Sequence, residues 1–155
     1  TTVVRMSLLR APLFPDPDCD QGHHRLRFSV LPGSTISDAV EQGYRRNLDT
    51  RVVEGAAASV EPLISLDNPA VVVESVKLAN DRSGDLIVRL YESRGGRADV
   101  SIHANFSHDG VAVTDLLERP VEYPDAIKLW VNDIQLTLRP FKILTLRFTR
   151  VGRRA

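Results

Sequence analysis

Residues 84–92 read Gly84-Asp85-Leu86-Ile87-Val88-Arg89-Leu90-Tyr91-Glu92, and this stretch decides the fold. From Leu86 onward, aliphatic residues at every second position alternate with a second set, Ile87, Arg89 and Tyr91. Successive side chains of a β-strand point to opposite faces, so the alternation predicts a strand that turns one face toward a core.

The same alternation recurs along the chain, and turn signals separate the alternating segments. Clusters of Gly, Asp, Asn and Ser predict turns at 81–84, 94–96 and 132–133. Short turns between strands with one buried face are typical of antiparallel sheets. The sequence therefore predicts an all-β fold, an antiparallel β-sandwich, with strands at or near 3–9, 25–30, 60–66, 70–79, 86–91, 98–104, 111–117, 127–131, 134–138 and 144–148.

One short helix is predicted within this β pattern. Thr35-Ile36-Ser37-Asp38 has the form of a capping box, with an acid three residues after a hydroxyl. In the residues that follow, Ile36, Val40 and Tyr44 share one helical face, and Arg45 lies where a helix C-terminus favours cations.

A long proline-rich loop is predicted between the first two alternating segments, at residues 11–22. It contains Pro12, Pro15 and Pro17. Proline fixes φ and removes a backbone donor, so this segment cannot pair as a strand. Loops of this length on a β scaffold tend to carry function.

The composition is that of a single globular domain, residues 1–155. Of its residues, 43% are hydrophobic and 26% are charged. A compact fold of this mass would expose roughly 7,800 Å² of surface. Twenty basic residues balance twenty acidic ones, which argues against nucleic acid as a partner, and no apolar run is long enough for a membrane span. A single cysteine, Cys19, excludes an internal disulfide framework and a thiolate-rich zinc site.

The loop also gathers potential metal ligands, namely Asp16, Asp18, Asp20, Gln21, His23 and His24. Pro17 interrupts the aspartates, and the glycine and distant glutamate of a calcium loop are missing. The simpler interpretation has these acids accepting hydrogen bonds from backbone donors of the turn. Elsewhere, His103 and His108 are predicted to be exposed, and no nucleophile motif accompanies Cys19. We therefore predict neither catalytic nor metal-binding residues in this chain.

Arg10 ends the first alternating segment and precedes the proline-rich loop. An arginine there either extends into solvent or reaches into a polar site, and the residues alone leave both open.

Several stretches together resemble the C-terminal region of family 38 α-mannosidases, most closely the shorter bacterial type. The most specific are the loop and the segment Arg89-Leu90-Tyr91-Glu92. The similarity covers nearly the whole chain through 7–12, 15–18, 20–24, 28–33, 76–81, 84–92, 115–118 and 138–146.

This resemblance implies a β-sandwich domain at the end of a much larger enzyme that hydrolyses α-mannosides with retention. The nucleophile, the acid and a divalent metal, usually zinc, would belong to a separate catalytic domain, so the fragment alone is expected to be inactive. The implied partners are the parent enzyme's catalytic and helical domains and a mannose-containing substrate. The resemblance also implies that edge strands of this piece lack their partners.

The resemblance further suggests a role in substrate binding for part of the loop. Arg10 matches an arginine that can approach the substrate cleft in the family. We hypothesise that Arg10, with Asp20 and His24 beside it, closes one wall of the sugar site. The alternative is that Arg10 and Asp20 only pin the loop to the sheet.

Two further hypotheses compete with the α-mannosidase interpretation. A stand-alone carbohydrate-binding module would need exposed aromatic residues, and Trp130 is the single tryptophan. A structural or interface module would show an exposed apolar patch on the face that carries Ile87 and Tyr91. The start at Thr1 suggests a piece of a longer protein, and the cysteine content suggests a cytoplasmic location.

Overall fold

The computed structural model describes residues 3–52, 54–55, 59–122, 128–129 and 133–152. Within them lie one α-helix and eight β-strands, in the order α1 (Ile36–Asn47), β1 (Ile64–Leu66), β2 (Val71–Leu78), β3 (Leu86–Glu92), β4 (Ala98–Ala104), β5 (His108–Thr114), β6 (Lys128–Leu129), β7 (Asp133–Leu138) and β8 (Ile143–Arg150).

The strands form two four-stranded antiparallel sheets, which confirms the predicted β-sandwich. The first sheet has the order β1-β4-β7-β6, and the second sheet has the order β2-β3-β8-β5. In the first sheet Ile102 lies opposite Ile134, and in the second Leu90 lies opposite Leu144. Because these pairs share a face, each sheet presents a continuous apolar surface to the other.

The core consists of the inward-facing side chains of both sheets. The fully buried members include Leu90 on β3, Ile102 on β4, Ile134 on β7 and Phe148 on β8. Burying each such side chain contributes about 1.5–3 kcal/mol to folding. The alternation that begins at Leu86 is therefore the pattern that builds this core.

The predicted helix is present and begins as the capping box requires. The Thr35 backbone N–H donates to Asp38 at 2.7 Å, and the Asp38 N–H donates to the Thr35 hydroxyl at 3.3 Å. The Asp38 carboxylate accepts hydrogen bonds from the Thr35 N–H and, also at 2.7 Å, from the Thr35 hydroxyl, and these two bonds hold the pKa of Asp38 below its usual value. The helix meets the second sheet where the Tyr44 hydroxyl donates to the Tyr91 hydroxyl at 3.4 Å.

The predictions of strands at 3–9 and 25–30 are wrong, and the loop at 11–22 therefore does not connect two strands. Neither segment belongs to a sheet ladder with another described residue. Their apolar side chains are exposed, with Leu8 at 53% and Phe28 at 57%. The total accessible surface of 12159 Å² accordingly exceeds the roughly 7,800 Å² of a compact fold.

Several predicted boundaries also move. The segment predicted at 60–66 pairs only from Ile64, and the one predicted at 111–117 begins earlier, at His108. Prediction of an exposed His108 is wrong, because its ring packs edge-on against Phe106 and Phe148 at centroid distances of 5.8 and 5.1 Å. Trp130 and the predicted turn residue Asn132 lie outside the described residues.

Candidate functional site

The outer face of the first sheet is polar and open to solvent. His103, which is exposed as predicted, contacts the Asp133 carboxylate at 2.7 Å. The Thr137 hydroxyl donates to Asp99 at 2.5 Å, and the Ser101 N–H donates to Asp67 at 2.7 Å. Among the described residues these polar groups bond to one another.

The outer face of the second sheet is different, because it forms a largely apolar depression that we call the outer cleft. The cleft has a volume of about 440 Å³ and is lined by Glu74, Arg89, Tyr91, Glu92, Ser93, Leu116, Phe141 and Ile143. A second depression of about 820 Å³ adjoins it and shares Leu116, Phe141 and Ile143. The sequence raised an exposed apolar patch on the face carrying Ile87 and Tyr91 as the mark of an interface; Tyr91 lines this cleft, whereas Ile87 is fully buried.

Arg89 forms part of the floor of the outer cleft. Its Nε donates to the Thr145 hydroxyl, and its Nη2 donates to the Leu116 carbonyl oxygen, each at 3.3 Å. Both acceptors are neutral, and the described residues supply no carboxylate that pairs with this half-buried guanidinium. Since a guanidinium has five N–H donors, Arg89 is held in place with donors to spare.

Phe141 forms the rim of the outer cleft and is held in an unusual backbone conformation. The turn from Arg139 to Lys142 closes with a 3.0 Å hydrogen bond from the Lys142 N–H to the Arg139 carbonyl oxygen. Phe141 has φ +56°, which costs a residue with a side chain roughly 1–2 kcal/mol. The Phe141 ring lies over Gly95, where an added Cβ would come within 2.7 Å of it, yet the residue remains 70% exposed.

The buried carboxylate of Glu92 holds this turn in place. It accepts hydrogen bonds from the N–H groups of Arg94 and Gly95 at 2.8 Å and of Phe141 at 3.0 Å. Burial alone would raise the pKa of Glu92, but the backbone donors, first among them Phe141, outweigh it and leave the pKa below its usual value. Glu92 therefore joins the β3–β4 turn to the β7–β8 turn.

The loop after β5 lies over the other part of this face. Glu118 is buried, accepts from the Asn80 N–H at 2.7 Å and pairs with the Lys77 ammonium. The Lys77 hydrogen bond, followed by that of Asn80, lowers the pKa of Glu118. Arg147 pairs nearby with Asp85 at 2.7 Å and with an exposed aspartate, Asp81, at 2.5 Å.

The predicted substrate-binding residues lie together only in part. Asp20 accepts a 3.1 Å hydrogen bond from the Ala11 N–H, and its carbonyl oxygen lies 2.7 Å from His24 Nε2. Asp20 thus ties the loop to its own first residue rather than to a sheet. Arg10 precedes Ala11, and its side chain is exposed without a hydrogen bond to any other described residue. The Asp16 carboxylate accepts from the Asp18 N–H at 3.0 Å, which is the backbone role expected of these acids.

No group of three or more His, Cys, Asp or Glu side chains is arranged to hold a metal ion among the residues that the structure describes. The resemblance assigns its divalent metal to the separate catalytic domain, not to this chain. Over the described residues, the one helix is too short and too polar to cross a membrane.

The sequence did not reveal the outer cleft as a site. Leu116 and Phe141 lie in loops, so no alternating pattern marks them as belonging to the second sheet's outer face. The sequence feature that could have indicated the cleft is the segment 89–92, which the resemblance marked as specific and which supplies Arg89, Tyr91 and Glu92 to the cleft lining.

Comparison with known proteins agrees with the fold. The family described as "Glycosyl hydrolases family 38 C-terminal beta sandwich domain" matches residues 70–146. Human Alpha-mannosidase 2C1 is 32% identical over 153 residues, which cover 94% of this chain and 15% of that protein. Alpha-mannosidase from Saccharomyces cerevisiae is 26% identical, and Alpha-mannosidase G from Dictyostelium discoideum is 29% identical, each over 94% of this chain. The chain thus spans about one-seventh of the length of these relatives, which are eukaryotic, and the shorter bacterial type stays a prediction.

Proposed function

The chain belongs to the glycosyl hydrolase family 38 C-terminal β-sandwich domain family, and from that premise we propose that it supports the catalytic domain of a larger α-mannosidase. The observation that carries the proposal is the two-sheet sandwich over the matched residues 70–146, together with relatives named α-mannosidase along 94% of the chain. In this proposal the parent enzyme hydrolyses terminal α-mannosides with retention.

The chemistry of that reaction is assigned to the rest of the parent. Retaining hydrolysis needs a carboxylate nucleophile and a second carboxyl group that acts first as acid and then as base. A divalent metal in the catalytic domain, zinc by resemblance, would bind hydroxyl groups of the sugar. The chain alone is therefore expected to leave an aryl α-mannoside intact, while the complete enzyme hydrolyses it.

Within the parent, Arg10 is proposed to close one wall of the sugar site, with Asp20 and His24 holding the loop that follows it. The hydrogen bond from the Ala11 N–H to Asp20 fixes the backbone at the point from which the Arg10 side chain leaves. A guanidinium offers forked donors suited to sugar hydroxyls and to neighbouring carboxylates. The exposure of Arg10 in this chain is consistent with a partner that other parts of the parent supply.

The test is Arg10→Ala in the complete enzyme, with Arg5→Ala as a control of the same residue type in the same exposed segment. A hydrogen bond from a charged group is worth about 1.5–3 kcal/mol, so kcat/KM for an aryl α-mannoside should fall by roughly 10- to 100-fold. The control should leave kcat/KM unchanged. An unchanged kcat/KM in Arg10→Ala would reject the site role.

The parent's domains are also proposed to supply sheet partners for residues 3–9 and 25–30. These segments alternate as strands do, yet they expose Met6, Leu8 and Phe28 at 53–57%. A strand gains its stability from a neighbouring strand and a covered face, and both are missing for these segments among the described residues.

A further inference from the structure

We propose that the outer cleft is the surface on which a segment of the parent enzyme outside this chain docks, with an apolar side chain against Leu116, Phe141 and Ile143 and a carboxylate on Arg89. This inference rests on the proposed function, since it names the surface through which the supporting domain contacts its parent.

The first argument is the apolar character of the cleft and its surroundings. Leu116, Leu117, Phe141 and Ile143 are exposed at 61%, 71%, 70% and 52%. Leu116, Phe141 and Ile143 connect two adjacent depressions into one patch. The outer face of the first sheet, by contrast, carries polar groups that bond to one another. Contiguous apolar patches on one face mark protein contacts.

The second argument is the charge of Arg89. Its guanidinium is half-buried and bonded to two neutral oxygens, those of Thr145 and Leu116. Lys77 and Arg147, two further cations on the second sheet, each pair with a carboxylate. A docking segment that brings a carboxylate would complete the same arrangement at Arg89, and a bidentate arginine–carboxylate pair also fixes orientation.

The third argument is the turn that displays Phe141. Its left-handed backbone would suit glycine, yet the chain places a large aromatic residue there and supports it with the Glu92 carboxylate. Strained positions held by their surroundings mark functional surfaces. Aromatic side chains are enriched at the centres of protein interfaces, which is the role assigned to Phe141.

The proposed occupant is a segment of the parent enzyme because the relatives are much longer than this chain. The chain aligns with only 15% of the length of human Alpha-mannosidase 2C1, so a parent of that size has many other residues to cover the patch. Helix α1 already covers the neighbouring end of this face through Tyr44 and Tyr91, and a docked segment would continue that cover.

The test compares Leu116→Asp with Leu78→Asp in the complete protein. Leu78 is a matched control, since it is also a leucine of the second sheet region, is 66% exposed and does not line the cleft. We expect Leu116→Asp to speed proteolytic release of the domain on the order of tenfold, because cleavage follows the population of the undocked state. Leu78→Asp should match the wild type. In the 155-residue chain alone, both variants should unfold at the wild-type temperature.

Equal release rates for the two variants in the complete protein would overturn the inference. Evidence that either of two other molecules occupies the outer cleft would also overturn the inference. One is a second copy of the chain, seen as self-association that Leu116→Asp abolishes. The other is a free sugar, seen as binding of methyl α-mannoside that Leu116→Asp abolishes. The proposed function is judged separately, by hydrolysis of an aryl α-mannoside by the wild-type complete protein.

A second variant distinguishes loss of docking from misfolding as the cause of faster release. Phe141→Gly removes the ring and relieves the backbone at φ +56°, so the isolated chain should remain folded. In the complete protein the same substitution should still speed release of the domain. Release at the wild-type rate would contradict the role of Phe141 in docking.

Discussion

Residues 3–9 and 25–30 carry the same alternation as strands β2 and β3, but among the described residues only β2 and β3 belong to a sheet. Leu90 is fully buried between the sheets, whereas Leu8 is 53% exposed. The two leucines differ in what surrounds them, because β3 has β2 and β8 as neighbours and residues 3–9 have no strand neighbour among the described residues.

This difference shows that alternation specifies which face of a strand is apolar but does not supply the neighbouring strand. Strand β3 pairs on one side with β2, which directly precedes it in the sequence, and on the other side with β8. For residues 3–9 and 25–30 we place the neighbours in the parent enzyme. These segments therefore have the apolar pattern of a strand but no neighbouring strand among the described residues.

The largest expected effect comes from comparing Leu90→Ala with Leu8→Ala in the chain. Removing a buried leucine costs about 2–5 kcal/mol, because contacts are lost and a cavity remains. Removing an exposed one should change stability by less than about 0.5 kcal/mol. Urea unfolding followed by circular dichroism measures both. A cost at Leu8 equal to that at Leu90 would mean that residues 3–9 are already packed in the chain.

A smaller effect is expected at Glu92, where the sandwich depends on a buried charge. Glu92→Gln should cost about 2–3 kcal/mol near neutral pH, since hydrogen bonds to a charged group are lost. The pKa of Glu92 is lowered by folding, so its contribution is present above the usual glutamate range and is lost as pH falls through the folded pKa.

The difference in stability between the wild type and Glu92→Gln should therefore shrink on acidification. Glu61→Gln, at an exposed glutamate, is the control and should leave stability unchanged. A difference that stays constant from neutral to acid pH would show that the Glu92 charge is not what the backbone donors recognise.

The smallest effect is expected at helix α1, which has no fully buried residue but is stabilised locally by the Thr35 capping box. Thr35→Ala removes the capping hydroxyl and should cost helix α1 about 1 kcal/mol. Because no residue of α1 is fully buried, the loss should appear as faster amide exchange in 36–47 and leave the sandwich unchanged. Faster exchange in β3 as well would show that the helix and the sheets unfold as one unit.

Much of the sandwich could be predicted from the sequence because its signals are local. The alternation at Leu86, the turns and the Thr35 capping box each act within a few residues. The failures at 3–9 and 25–30 arise because a sheet needs partners that local pattern does not show. The prediction for His108 failed for a related reason, because its ring packs against Phe148, which lies 40 residues away in the sequence, as well as against nearby Phe106.

The site was less predictable than the fold. The resemblance grouped Asp20 with Arg10 and His24, whereas the contacts of Asp20 with the Ala11 N–H and with His24 come from the structure. The outer cleft joins a strand arginine, a loop leucine and a turn phenylalanine from three parts of the chain, and no spacing rule connects them.

Hydrogen exchange in the chain and in the complete protein that contains it tests the central claim most directly. If the chain is a supporting domain that completes its sheets on a parent enzyme, amides of 3–9 and 25–30 should exchange freely in the chain and be protected in the complete protein. Amides of β3 and β8 should be protected in both. Equally free exchange of 3–9 and 25–30 in both proteins would contradict the account.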